Sequence, residues 1–106
     1  MARIVITEFM DERALPRLRA AHDVLYDPKL VDDTPRLMAE AARADVIIVR
    51  NRTQVRGALL DALKQARVVG RLGVGLDNID VAACEQRGIQ VIPATGANAL
   101  SVAEYV

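Results

Sequence analysis

The sequence predicts an α/β protein with a flavodoxin-like, doubly wound parallel sheet of five strands, and two observations carry that prediction. Short runs rich in Val and Ile, such as Val46-Ile47-Ile48-Val49, recur along the chain, and the stretches between them repeat their apolar residues every three or four positions. Strands alternating with helices at this spacing imply right-handed crossovers and a sheet covered on both faces. The 106 residues, 52% of them apolar, are enough for one compact core that needs no disulfide or metal staple.

Each element follows in order. Arg3-Ile4-Val5-Ile6-Thr7 is a buried strand, and Asp11 is placed to cap a helix running to Ala21, with Ala14, Leu15, Leu18 and Ala21 on its apolar stripe. Pro16 fits that helix only near the first turn, where a missing N–H costs little. Asp23-Val24-Leu25-Tyr26 is the second strand, and Asp32-Asp33-Thr34-Pro35 opens the second helix with a cap and a proline at its first position. Val46–Val49 is the third strand, followed by a helix carrying Leu59, Leu60, Ala62 and Leu63, and Val68–Leu72 is the fourth. Ile79 to Arg87 is expected to be helical and to end at Gly88, where positive φ closes a last turn, before a fifth strand from Ile89 to Pro93. A helix begins near Ala97 and is unfinished at Val106, so the fold is read as truncated in its last helix.

Lys and Arg number 14, as do Asp and Glu, so formal net charge is zero and there is no overall pull toward nucleic acid or an anionic membrane. The opening residues hold acids and lack the apolar run of a signal peptide or membrane span, which places the protein in the cytoplasm as an expectation. Cys84, the single cysteine, lies mid-helix beside Ala82 and Ala83 and reads as a small buried hydrophobe.

In open parallel sheets ligands collect beyond the carboxyl ends of the strands. Two segments stand there. Arg50-Asn51-Arg52-Thr53 puts two guanidinium forks, matched to carboxylate, phosphate or sulfonate oxygens, directly after the third strand. As surface residues they would instead pair with nearby acids. Gly70 to Asp80 is a glycine-rich segment joining the fourth strand to a helix, but Asn78 stands where the third glycine of a G-x-G-x-x-G dinucleotide fingerprint should be. Exposed amides at Val74 and Gly75 would suit a small carboxylate, while Asp77 or Asn78 would cap the following helix. With Asp80 these two resemble a metal cluster only superficially, and no metal is expected.

The stretch from Val68 to Val106 carries a family resemblance. Gly73-Val74-Gly75-Leu76-Asp77-Asn78-Ile79-Asp80, then Arg87-Gly88-Ile89-Gln90-Val91, then Asn98-Ala99-Leu100-Ser101-Val102-Ala103-Glu104 resemble the D-isomer-specific 2-hydroxyacid dehydrogenases, including those like phosphoglycerate dehydrogenase. Arg50-Asn51-Arg52-Thr53-Gln54-Val55 is similar to that family's loop after its third strand. The resemblance implies that residues 1–106 are the first part of the substrate-binding domain. It also implies that Arg50, Asn51, Arg52, Val74 and Gly75 line the substrate cleft, and that no catalytic residue belongs to this stretch. NAD(P) is implied for the complete enzyme, with the nucleotide-binding domain absent here and no cofactor held by this chain. His22, the single histidine, falls between the first helix and second strand, on the wrong edge for proton transfer, and is expected at the surface.

Two other classes compete. A phosphoacceptor receiver domain shares the strand order but needs an acidic pair after strand one, an aspartate after strand three and a lysine after strand five. Thr7-Glu8, Arg50 and Pro93-Ala94 stand there instead. A structural module without a ligand is not excluded by fold. The expected partner is a small 2-hydroxy or 2-oxo acid, and two arginines within three residues favour one with a second anionic group, a phosphate or sulfonate. The unfinished helix predicts a homodimer or helix-swapped oligomer.

Overall fold

The computed structural model describes residues 2–10, 12–72 and 77–94. Five strands, β1 (Arg3–Ile6), β2 (Asp23–Tyr26), β3 (Val46–Val49), β4 (Val68–Leu72) and β5 (Gln90–Ala94), form one sheet in the order β2-β1-β3-β4-β5, every pair parallel. This is the flavodoxin-like order expected. Register is set by period-two alternation. Ile4, Ile6, Val46, Ile48, Val68 and Leu72 face one side with Leu15 and Leu18, whereas Val5, Ile47, Val49 and Val69 face the other with Leu37, Leu59, Leu60 and Cys84. Both faces are apolar because the crossover helices cover both.

Four helices connect the strands: α1 (Leu15–Ala21), α2 (Thr34–Ala41), α3 (Gly57–Ala62) and α4 (Val81–Gln86). The helix expected from Asp11 divides in two, a 3-10 turn over Glu12–Ala14 and then α1, which makes Pro16 the second residue of α1. The proline thus sits where its missing N–H is harmless. A second 3-10 turn, Leu30–Asp32, precedes α2, so Asp32 is not the cap. Asp33 is, its carboxylate accepting from the Arg36 amide at 3.3 Å, with Pro35 in the first turn. Leu63 falls just past α3.

At α4 the expectation needs correcting. Ile79 is not helical but forms an isolated parallel bridge with Val55, so the helix starts at Val81, and neither Asp77 nor Asn78 caps it. Asp80 does, accepting from the Ala83 amide at 3.1 Å. Gly88, at φ 74°, closes the helix as expected, its amide bonding Glu85 while Ile89 bonds Cys84. The strand after it starts and ends one residue later than the sequence pattern indicates. The turn residues Val74 and Gly75 and the expected helix beyond Ala97 lie outside the described residues.

His22 keeps its place at the amino edge of the sheet but is half-buried rather than fully at the surface, its Nδ1 accepting from the Ala2 amide at 3.1 Å. Among the described residues no helix is long and apolar enough to cross a membrane.

Candidate functional site

The carboxyl ends of β1, β3 and β4 meet at one point, and the loop from Arg50 to Arg56 is at its centre. The side chains of two residues outside that loop, Glu8 and Asn78, hold its main chain. Glu8, two residues past β1, is only 4% exposed. Its Oε2 accepts from the amides of Arg50 at 2.8 Å and Thr53 at 2.9 Å, and its Oε1 from the amide of Arg52 at 3.0 Å. Thr7 adds a hydroxyl contact to Thr53 at 2.8 Å. Burial pushes the Glu8 carboxyl up, but the amides of Thr53, Arg50 and Arg52, with the Thr53 hydroxyl, outweigh it and hold Glu8 below the ordinary glutamate range.

From the other side comes Asn78, 3% exposed. Its Nδ2 donates to the carbonyl oxygens of Arg50 at 2.6 Å and Thr53 at 2.7 Å, and its Oδ1 accepts from Arg71 Nε at 3.3 Å. Arg71, nearly buried at the end of β4, also donates from Nη1 to the Leu72 carbonyl at 2.7 Å. The Val55–Ile79 bridge runs alongside, with the Val55 amide on the Asn78 carbonyl at 2.8 Å. Asn78 to Asp80, ahead of α4, and the loop after β3 are therefore one tied unit.

The side chains at the predicted positions behave differently from their backbone. Arg50, Asn51 and Arg52 are all exposed. Arg50 leans toward the segment that leads into α1, its guanidinium carbon 5.8 Å from the centroid of the Phe9 ring and its Nη1 donating to the Phe9 carbonyl at 3.4 Å. Phe9 itself is 59% exposed. Arg52 turns the opposite way, to an ion pair with Asp32 in the 3-10 turn before α2. There it lines an open cavity of ≈ 290 Å³ between α2 and α3 with Leu37, Met38 and Leu59. The structure thus brings the two arginines onto one loop but not their guanidinium groups to one point. Sequence reasoning missed Glu8, Phe9 and Arg71, and it gave Asn78 only a capping role. An acid directly after a buried strand was the one signal available for Glu8.

Asn78 stands where the third glycine of a dinucleotide fingerprint would allow close helix–strand packing, and its side chain is committed to Arg50, Thr53 and Arg71, so the described residues lack that fingerprint. Among the described residues there is also no cluster of His, Cys, Asp and Glu suited to a metal ion. Glu8, spent on three amides, is not free to serve as a receiver-type acid.

Comparison with known proteins agrees with this geometry. The model of the D-isomer specific 2-hydroxyacid dehydrogenase catalytic domain matches residues 4–106. The chain is 53% identical over 106 residues to (S)-sulfolactate dehydrogenase of Chromohalobacter salexigens, covering 100% of this chain and 34% of that protein. It is 34% identical over 103 residues to D-3-phosphoglycerate dehydrogenase of Archaeoglobus fulgidus, covering 97% of this chain and 19% of that one. A crystal structure of a Pyrococcus horikoshii OT3 protein superposes with a TM-score of 0.76 at 28% identity, over 99% of this chain and 31% of that one. The chain thus spans about a third or less of the length of these relatives. A sheet order, a glycine-turn motif and a full-length match all coincide, and the chain belongs to the D-isomer specific 2-hydroxyacid dehydrogenase family.

Proposed function

We propose that residues 1–106 are the substrate-binding part of an NAD(P)-dependent 2-hydroxyacid dehydrogenase whose substrate carries a second anion, with sulfolactate favoured. The observation that carries this reading is the 53% identity to a sulfolactate dehydrogenase along the whole chain, joined to a loop whose Arg50 extends beyond β3 without a carboxylate partner among the described residues. Arg50 would take the distal sulfonate or phosphate, Asn51 and Arg52 would border the same cleft, and the amides of Val74 and Gly75 would take the substrate carboxylate.

Stereochemistry supports the sulfonate. In lactate the carboxylate outranks the methyl group, whereas in sulfolactate the sulfur-bearing carbon outranks the carboxylate. An (S) label on sulfolactate therefore describes the same arrangement around C2 as the D label on lactate. A D-specific site needs no inversion to accept (S)-sulfolactate, only a partner for its sulfonate.

Hydride transfer would require NAD(P) and proton-transfer groups from sequence other than these residues, so the stretch is proposed to be inactive alone. A cytoplasmic location and association as a homodimer or helix-swapped oligomer belong to the same proposal, the latter tested by light scattering over a wide concentration range. The functional test is an assay of the full-length protein bearing this chain, with NAD and NADP, against (S)-sulfolactate, D-3-phosphoglycerate and D-lactate. The highest kcat/KM is expected for sulfolactate. A preference for lactate would remove the second anion from the reading.

A further inference from the structure

Glu8 is a buried carboxylate whose hydrogen bonds come from three main-chain amides and the Thr53 hydroxyl rather than from a guanidinium. The donors at Arg50, Arg52 and Thr53 converge from one loop, the concave arrangement that elsewhere binds phosphate or carboxylate ligands. Here a side chain of the protein fills it. Two consequences follow from the position. The nest is closed to a substrate anion, and the Cα atoms of Arg50 and Arg52 are held by bonds that do not depend on their own side chains. The next residue, Phe9, receives the Arg50 guanidinium over its ring and on its carbonyl. Glu8 thus fixes the root of Arg50 and Phe9 its tip.

We propose that Glu8 is a positioning residue for anion recognition: its carboxylate is an internal occupant of the amide nest after β3, and by filling it Glu8 makes the Arg50 side chain, not the loop backbone, the receiver of the substrate's distal anion. This rests on the functional reading above for the identity of that anion, and on the geometry alone for the nest.

The substitution Glu8→Ala removes a methylene and a carboxylate, and acetate supplies the same atoms. In the full-length enzyme bearing E8A, KM for sulfolactate should rise about tenfold or more, on the scale of a lost charge-assisted contact, with a smaller change in kcat. The inhibition constant of oxamate, which has no distal anion, should move little. Acetate should lower the raised KM and raise the thermal midpoint of E8A, while acetamide and chloride at equal concentration should do neither. Equal changes for sulfolactate and oxamate would assign Glu8 a purely structural role and overturn the proposal, as would an E8A midpoint indifferent to acetate. A wild-type enzyme that oxidises no 2-hydroxy acid would overturn the functional reading alone, since the acetate response of the midpoint still reports on the nest.

Discussion

Arg52 and Asp32 are ion-paired across the carboxyl edge of the sheet, from the loop after β3 to the turn before α2. Hydrogen bonding to Asp32 raises the pKa of the Arg52 guanidinium, and the carboxylate offsets its charge for any anion approaching the loop. Arg50 rests on an aromatic ring and a carbonyl instead. Although both arginines fit the anion-binding pattern in the sequence, only Arg50 presents a cation without a carboxylate partner among the described residues.

The two arginines should therefore differ in kinetics. Arg50→Ala in the full-length enzyme is expected to raise KM for sulfolactate about ten- to a hundredfold, the effect of losing a charge-assisted hydrogen bond of roughly 1.5–3 kcal/mol. Arg52→Ala should change KM by only a few-fold. Steady-state kinetics of both variants would check this, and a larger effect from Arg52 would reverse the assignment.

Asp32→Asn should act in the opposite direction. Freed of its carboxylate, Arg52 adds positive potential at the edge of the cleft, and KM for a doubly charged substrate should fall by roughly two- to fivefold at low salt, the gain shrinking as ionic strength screens it. A rise in KM at every salt concentration would show that Asp32 serves to hold Arg52 in place.

Asn78→Ala removes the donor shared by two loop carbonyls and the acceptor of Arg71 Nε. Leaving buried polar groups unpaired costs about 1–3 kcal/mol each, partly recovered by water, so a loss of roughly 2–4 kcal/mol is expected. Urea unfolding of the chain measures it directly. A change below about 0.5 kcal/mol, the ordinary range for substitutions away from such features, would mean that the clamp is replaced by solvent.

The strands were legible because a parallel sheet covered on both faces demands uninterrupted apolar runs, and Asp23–Tyr26, Val46–Val49 and Val68–Leu72 fall where those runs predict. Helix starts were less so. Ile79 continues an apolar pattern, but the hydrogen bonds joining residues 55, 78 and 80 draw it into a bridge, and local periodicity carries no sign of that partner. The same limit applies to the site. Arg50 and Arg52 are conspicuous by residue type, whereas Glu8 acts through bonds spanning 42 to 45 positions and Asn78 through bonds spanning 25 and 28.

Acid should expose the contribution of Glu8. Its folded pKa lies below the unfolded value, so it stabilises the fold above about pH 4.3 and loses that effect as pH falls through the folded pKa. Wild type should exceed Glu8→Gln in unfolding free energy at neutral pH, and the two curves should converge in strong acid. A gap that stays constant down to pH 2 would show that the carboxylate charge is not what the amides recognise.

Cys84 should report global unfolding. Burial first, then the nearby Asp80, pushes its thiol up, so thiolate is scarce at neutral pH and the sulfur is screened from solvent. Labelling by a thiol reagent should be slow in the native protein and should track urea unfolding measured by circular dichroism. Rapid labelling without urea would place α4 in a locally opening segment.

Glu8 and Asn78 hold the loop after β3 by bonds to its amides and carbonyls, and none of these involves the side chains of Arg50, Asn51 or Arg52. A peptide group is the same whichever residue bears it. Those three positions can therefore mutate without removing the bonds that fix the path of the chain, and on the proposed function single substitutions there would exchange one acid for another. Glu8 and Asn78 have no such latitude, so drift among descendants of this protein should concentrate in the loop and spare the two residues that frame it.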